Sequence, residues 1–295
     1  MLGYNRLLGY DRGDPNRIRR QNMKRLMKIV MAMLVVAIGV GCCFAACGDK
    51  GGDGDREIRL SGSSSISPLM QKLGAAYEEA NPGVKVRVTS SDSGTGIADT
   101  LAGKNDIGMA SRALKDGETG LVATKICDDG VVLIVNNEVE LSNVTSQQVY
   151  DLYANGTAIE AIVNAVSREE GSGTRDAFDD MIKNAEGDKL KELTKFADCV
   201  SIQRSTGDVK VEIAASKNAI GYISLGSLDD TVKGLTFNGV AASAENIKNG
   251  TYTLARPFNI LTKEGVEQSA EAKAFIEWLA SDAAKAIMTE EGYVV

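Results

Sequence analysis

The chain has 295 residues, of which 43% are apolar and 25% charged, which is typical of a globular protein with one large domain or two ordinary ones. It contains no histidine, so a zinc site or a Ser-His-Asp hydrolase would lack its commonest side chain. Residues 1–46 hold eight Lys or Arg and two Asp or Glu residues, and the remainder therefore has 25 basic and 38 acidic residues. Because nucleic-acid binding needs a basic face, this acidic remainder argues against a nucleic-acid partner.

The N-terminal segment has the order of a secretory signal, with basic residues at 23–28, an apolar run at 29–41 and small residues before Cys47. It also resembles a bacterial lipoprotein signal, which implies that Cys47 is lipidated and that residues 1–47 form the N-terminal extension and the signal peptide. A flexible Gly/Asp tether at 48–56 would follow the anchor. The alternative is an uncleaved transmembrane anchor, and the start codon is either Met1 or Met23. Both alternatives place the bulk of the chain outside the cytoplasm.

Strand and helix patterns alternate in the part that follows. Short strands are predicted at 57–60, 84–88 and 106–110, with a helix at 66–80 that ends at Asn-Pro-Gly and a second helix that begins near Ile97. Such alternation predicts parallel strands joined by crossover helices.

The rest of the chain continues this pattern. Strands are predicted at 131–135, 159–166, 220–225 and 254–261, and helices at 144–153, 176–183 and 272–287. Thr145 or Ser146 would cap the first of these helices. The last helix carries a continuous apolar stripe over its whole length.

Three turns rich in Gly, Ser and Thr open predicted helices. They lie at 62–65, 91–96 and 171–174. A helix start presents unpaired backbone N–H groups and the positive end of the helix dipole, and it is therefore a ready site for an anion. Each turn taken alone is also an ordinary helix cap or loop. Three turns placed alike favour a shared oxyanion site.

Three arginines are candidates for the same site. Arg168 stands three residues before Gly171, Arg175 follows Thr174, and Arg112 follows the predicted strand at 106–110. A guanidinium fork can grip two edges of an oxyanion, although a single arginine is more often a solvated or ion-paired surface residue. The P-loop pattern Gly-x-x-x-x-Gly-Lys-Ser/Thr is absent, which argues against a nucleoside triphosphatase.

The motifs resemble those of the phosphate-binding proteins of the phosphate-specific ABC importer. The resemblance covers nearly everything from Glu57 to Val295, and its most specific part is the stretch from Ser167 to Arg175. Weaker motifs follow the family's order at 62–68, 93–97, 106–112, 221–224 and 256–258.

The resemblance implies an α/β fold of the class II periplasmic-binding-protein type, in which each of two lobes is a mostly parallel sheet flanked by helices. Two crossover strands at 131–135 and 256–261 would form the hinge. By this analogy residues 57–136 and 256–295 form lobe one, and residues 137–255 form lobe two. Phosphate would lie in the cleft and close it by hinge motion.

The resemblance also implies a set of phosphate ligands. They are Ser64, Ser65, Ser93, Ser111, Arg112, Arg168, Ser172, Gly173 and Thr174. Many members of the family carry an aspartate where this chain has Arg112, and that acid accepts the proton of hydrogen phosphate. Asp92 is a candidate substitute for this acceptor.

The resulting hypothesis is a receptor that captures inorganic phosphate outside the cell, delivers it to the permease subunits of an ABC transporter and is held on the membrane by lipidated Cys47. It is expected to be a monomer without cofactor or metal, with Cys127 and Cys199 unpaired. Alternatives are a receptor for sulfate or molybdate, and a surface sensor that does not transport. An exported phosphatase with a serine nucleophile is a further alternative, but the chain has neither a Gly-x-Ser-x-Gly motif nor a histidine base, so we expect no enzymatic activity.

Overall fold

The structure is a computed structural model that describes residues 56–295. Its strands are β1 Arg56–Ser63, β2 Val84–Ser91, β3 Ile107–Ala110, β4 Leu121–Val135, β5 Asn143–Val144, β6 Asn164–Arg168, β7 Val200–Gln203, β8 Ala219–Ser224, β9 Lys233–Gly234, β10 Thr236–Phe237 and β11 Ala255–Lys263. Its helices are α1 Ser67–Ala80, α2 Ser93–Leu101, α3 Ser146–Asn155, α4 Gly173–Met181, α5 Thr206–Ala215, α6 Ala244–Lys248, α7 Ala270–Leu279 and α8 Asp282–Glu290. The predicted signal, the lipidation site Cys47 and nearly all of the tether lie outside the described residues. Within residues 56–295, no helix is both long and apolar enough to cross a bilayer.

The main sheet is mixed, with parallel ladders on both sides of a central antiparallel pair. Its strand order is β2-β1-β3-β11-β4-β8-β6-β7, with β9 beside β4. Strands β1, β2 and β3 pair in parallel, as do β6, β7 and β8, whereas β11 runs antiparallel to β3 and to β4. The predicted α/β class is confirmed.

Strand β4 changes partner along its length. Residues 121–130 pair with β11, and residues 131–135 pair with β8. The first half of the fold therefore contains residues 56–130 and 255–295, and the second half contains residues 131–254. Each half has its own apolar core, one between β1, α1, α7 and α8 and the other around the end of β4, α3, α4 and β8. The lobe boundaries given above stay a prediction.

Two predicted elements are interrupted by turns in the structure. The single C-terminal helix is interrupted between α7 and α8, because the Ser281 side chain accepts a hydrogen bond from the Ala284 N–H and so starts a new helix. The predicted strand at 159–166 begins only at Asn164, since Ile159 and Ile162 pair with each other across a tight turn. In that turn Glu160 has a φ of 52°, which a continuous strand does not permit.

The two cysteines of the described chain are both free. Cys127 is buried in the core of the first half, and Cys199 is half-buried against the core of the second half. Burial raises the pKa of the Cys127 thiol far above its usual range, so the thiolate form is strongly disfavoured.

Candidate functional site

The first two hydroxyl-rich turns lie side by side at the ends of parallel strands. Strand β1 ends at Ser63 and β2 at Ser91, where the Ser64 N–H donates to the Ser91 carbonyl at 2.8 Å. Helix α2 begins at Ser93, earlier than predicted, because the Asp92 carboxylate accepts from the Thr95 N–H at 2.8 Å and caps it. Parallel neighbours end at the same edge of the sheet, so both helix starts face the same space.

The third turn brings the start of α4 against these two from the second half. Ser172 caps α4 by accepting from the Arg175 N–H at 3.3 Å. The preceding Gly171 has a φ of +87°, and its carbonyl accepts a hydrogen bond from the Gly94 N–H of the first half at 3.0 Å. A Cβ at Gly173 would lie 2.3 Å from Ser93 Oγ, so only glycine permits this approach.

A group of hydroxyls, which we name the hydroxyl cluster, lies where the turns meet. Its members are Ser63, Ser64, Ser65, Ser93, Ser111, Thr174 and Thr206, and all of them are buried. Three contacts show how closely they pack: Ser65 Oγ lies 2.8 Å from Thr174 Oγ1, and Ser111 Oγ lies 2.9 Å from Ser63 Oγ and 3.4 Å from Ser93 Oγ. Residues distant in sequence from both halves of the fold thus converge on one point.

Arg168 is the charged group of the cluster. It ends β6 and is 2% exposed. Its Nη2 donates to Ser64 Oγ at 3.1 Å, and its Nη1 lies 3.4 Å from Thr206 Oγ1. Glu169 accepts from both Nε and Nη2 at 2.8 Å, which fixes the plane of the guanidinium.

Thr206 belongs to a fourth helix start, which is not among the three predicted turns. Strand β7 ends at Gln203, Ser205 caps α5 by accepting from the Asp208 N–H at 3.0 Å, and Thr206 is the first residue of the helix. Its Oγ1 lies 3.2 Å from Ser65 Oγ. The segment Ser205-Thr206-Gly207 consists of Ser, Thr and Gly like the other three turns, and this composition is the local sequence pattern that predicts a helix start here.

The Arg112 side chain is not among the groups that the structure brings together. Its Nη1 and Nη2 donate to the two oxygens of Glu118 at 2.7 Å, and its Nε lies 2.7 Å from Asp176 Oδ2. Burial alone would lower the pKa of Arg112, but the two carboxylates outweigh it and raise that pKa. Asp92 is likewise engaged, because its oxygens accept from the Thr95 N–H and hydroxyl.

A second buried arginine borders the cluster. Arg256 of β11 faces Asp129 of β4, and its Nε and Nη2 lie 3.2 and 3.0 Å from Asp129 Oδ2. Burial raises the pKa of Asp129 and lowers that of Arg256, and the attraction between the two charges opposes both shifts. Arg256 Nη1 also donates to Ser111 Oγ at 3.2 Å.

The electrostatic character of the site suits an anion. Helices α1, α2, α4 and α5 start here and point the positive ends of their dipoles inward. Among the hydrogen bonds of residues 56–295, none joins a hydroxyl of the cluster to a carboxylate. A small oxyanion would therefore meet hydroxyl, amide and guanidinium donors, and the carboxylate of Glu169 is itself paired with Arg168.

The fold and this site define an α/β binding protein of the periplasmic type, with a polar site at the carboxyl ends of parallel strands. The model of the PBP superfamily domain matches residues 48–283. The chain belongs to that superfamily and, within it, to the substrate-binding proteins of phosphate ABC transporters.

Two solved structures and one curated relative illustrate the likeness. A Clostridium perfringens protein described as a phosphate ABC transporter substrate-binding protein with bound phosphate is 32% identical over 81% of this chain and 99% of its own, with a TM-score of 0.74. An ABC-type phosphate transport receptor from Vibrio cholerae is 30% identical with the same coverage and a TM-score of 0.64. The phosphate-binding protein PstS 2 of Streptococcus agalactiae is 41% identical over 136 residues, so the match spans 45% of the length of either protein.

Proposed function

We propose that this protein captures inorganic phosphate between the two halves of its fold and delivers it to the membrane subunits of an ABC transporter. The observation that carries the proposal is the convergence of four helix starts and seven buried hydroxyls on one point beside Arg168. The relatives named above, which are described as phosphate-binding or phosphate transport proteins, support the choice of ligand.

The proposed ligand set follows the contacts. Hydroxyl or amide donors come from Ser64, Ser65, Ser93, Ser111, Ser172, Gly173, Thr174 and Thr206, and the charged donor is Arg168. Arg112 is left out because Glu118 and Asp176 hold all three of its nitrogens, whereas Glu169 holds only Nε and Nη2 of Arg168. The donors come from both halves, so a bound phosphate would hold the halves together and favour the closed arrangement.

The proposed location of the protein is the outer face of the cell membrane. The basic, apolar and small-residue order before Cys47, followed by a Gly/Asp tether, supports a lipid-anchored receptor that moves freely above the membrane. Binding would occur without chemical change of phosphate, because the cluster offers no general base beside a hydroxyl.

Calorimetric titration of the purified chain tests the ligand. We expect one phosphate to bind per chain, and sulfate and molybdate to bind more weakly. Tight binding of sulfate or molybdate without phosphate binding would overturn the choice of phosphate as ligand. The proposal of an oxyanion receptor would then stand. Deletion of the gene should lower phosphate uptake at low external phosphate, and unchanged uptake would favour a sensor over a transport receptor.

A further inference from the structure

The buried ion pair between Arg256 and Asp129 joins the two central strands of the sheet. The two residues are direct partners in the β4–β11 ladder, and they are only 3% and 1% exposed. Their strands link the halves of the fold. Ser224 at the end of β8 donates to Asp129 Oδ1 at 2.8 Å and holds the carboxylate in place.

Asp129 in turn orients the Arg256 guanidinium. One edge of it, Nε and Nη2, is held by Asp129 Oδ2. The remaining nitrogen, Nη1, therefore points at Ser111, where it donates to the backbone carbonyl at 3.3 Å and to Oγ at 3.2 Å. A planar guanidinium fixed on one side has little freedom to turn away from the other.

The Ser111 hydroxyl consequently has both of its acceptor positions filled. A hydroxyl carries one proton and two lone pairs. Ser111 Oγ accepts one hydrogen bond from Arg256 Nη1 and another from Ser63 Oγ at 2.9 Å. Its own proton is left to donate, and the nearest acceptor, Ser93 Oγ, is 3.4 Å away, which is long for an O–H···O bond.

We propose that Arg256 is a positioning residue that turns Ser111 into a pure hydrogen-bond donor toward the bound anion. This inference rests on the proposed function. A donor of this kind cannot accept the P–OH proton of hydrogen phosphate, so that proton must be accepted by a group elsewhere in the site. Arg256 acts through Ser111, whereas Arg168 contacts Ser64 and Thr206.

A double-mutant cycle on the full chain, purified in detergent, tests the inference by phosphate calorimetry. Ser111→Ala is compared in three backgrounds: unaltered, Arg256→Lys, and the neutral pair Asp129→Asn/Arg256→Gln. Arg256→Lys keeps a positive charge opposite Asp129, but its single ammonium group cannot contact both Asp129 and Ser111. This variant provides the altered background if the neutral pair does not fold. Ser64→Ala, whose hydroxyl is held by Arg168 and not by Arg256, is the matched comparison in every background.

We expect Ser111→Ala to weaken phosphate binding about tenfold or more in the unaltered chain, the scale of one hydrogen bond to a charged group. In the two altered backgrounds its effect should fall to about twofold, while Ser64→Ala keeps its full effect. An equal effect of Ser111→Ala in all backgrounds would overturn the inference. It would also be overturned if the effect of Ser64→Ala on phosphate binding fell equally in the altered backgrounds, because Arg256 would then have a general structural role. If the unaltered chain does not bind phosphate, the proposed function and this inference both fail.

Discussion

Arg112 Nε lies 2.7 Å from Asp176 Oδ2, and this ion pair joins the two halves of the fold. Arg112 follows β3 in the first half, whereas Asp176 lies in the first turn of α4 in the second half. Lys115 of the first half also reaches Asp176, at 2.8 Å. The pair can form only when the halves are together, so it should stabilise the closed arrangement.

Replacing Asp176 tests this role. Asp176→Asn removes a negative charge near the proposed anion site, so electrostatics alone would tighten phosphate binding. Loss of the pair between the halves should instead weaken it by about 1 kcal/mol, the scale of a partly exposed ion pair. Stopped-flow measurement of phosphate dissociation distinguishes these two effects, because loss of the ion pair should speed dissociation. Tighter binding would contradict the proposed closing role. The exposed pair of Glu138 and Lys217 provides the control Glu138→Gln, which should change nothing.

Arg168→Ala should weaken phosphate binding by about 1.5–3 kcal/mol, because it removes the charged hydrogen-bond donor from a water-poor site. The control is Arg204→Ala, which removes the same charge from an exposed side chain nearby and should have little effect. Calorimetry measures both variants. Equal affinities of the two variants would remove Arg168 from the proposed site.

Gly173→Ala should prevent the halves from closing. A Cβ there would lie 2.3 Å from Ser93 Oγ and 2.7 Å from Ser111 Oγ, and such overpacking costs about 1–3 kcal/mol. Since the clash is with the opposite half, phosphate affinity should fall about tenfold while the thermal unfolding temperature changes little. At Gly207, in the first turn of α5, a Cβ would find only Ser205 Oγ at 3.6 Å, so Gly207→Ala is the tolerated control.

Asp179→Asn should stabilise the protein at neutral pH. Burial raises the pKa of Asp179 from 3.8 to about 6, against the opposing effect of Arg175. Between about pH 4 and 6 the folded chain keeps a proton that the unfolded chain has lost, so this group makes stability fall as pH rises.

The asparagine variant should therefore gain about 1–3 kcal/mol in unfolding free energy at pH 7 and nothing near pH 4. Denaturant unfolding at the two pH values measures this difference. The neighbour Asp180 has its pKa lowered by Lys191 and Lys189, so Asp180→Asn should not stabilise. A gain for Asp179→Asn that is the same at both pH values would contradict the assigned cause.

The sequence by itself determined the α/β class and the position of most strands, because the apolar runs and helix stripes are local signals. It also identified three of the four helix starts, since Gly, Ser and Thr beside a strand end mark such turns wherever they occur. The fourth helix start, at Thr206, has the same composition but lies outside the family motifs that contain the other three.

Only the tertiary structure decided which charges face the site. Arg112 follows β3 and Arg256 lies in β11, yet Glu118 and Asp176 bind the first while Asp129 turns the second toward Ser111. A guanidinium takes its direction from partners that are up to 127 residues away along the chain, as with Asp129 and Arg256. No local pattern contains Asp129 or Asp176, because Asp129 meets Arg256 only when β4 and β11 pair, and Asp176 meets Arg112 only when the two halves of the fold come together.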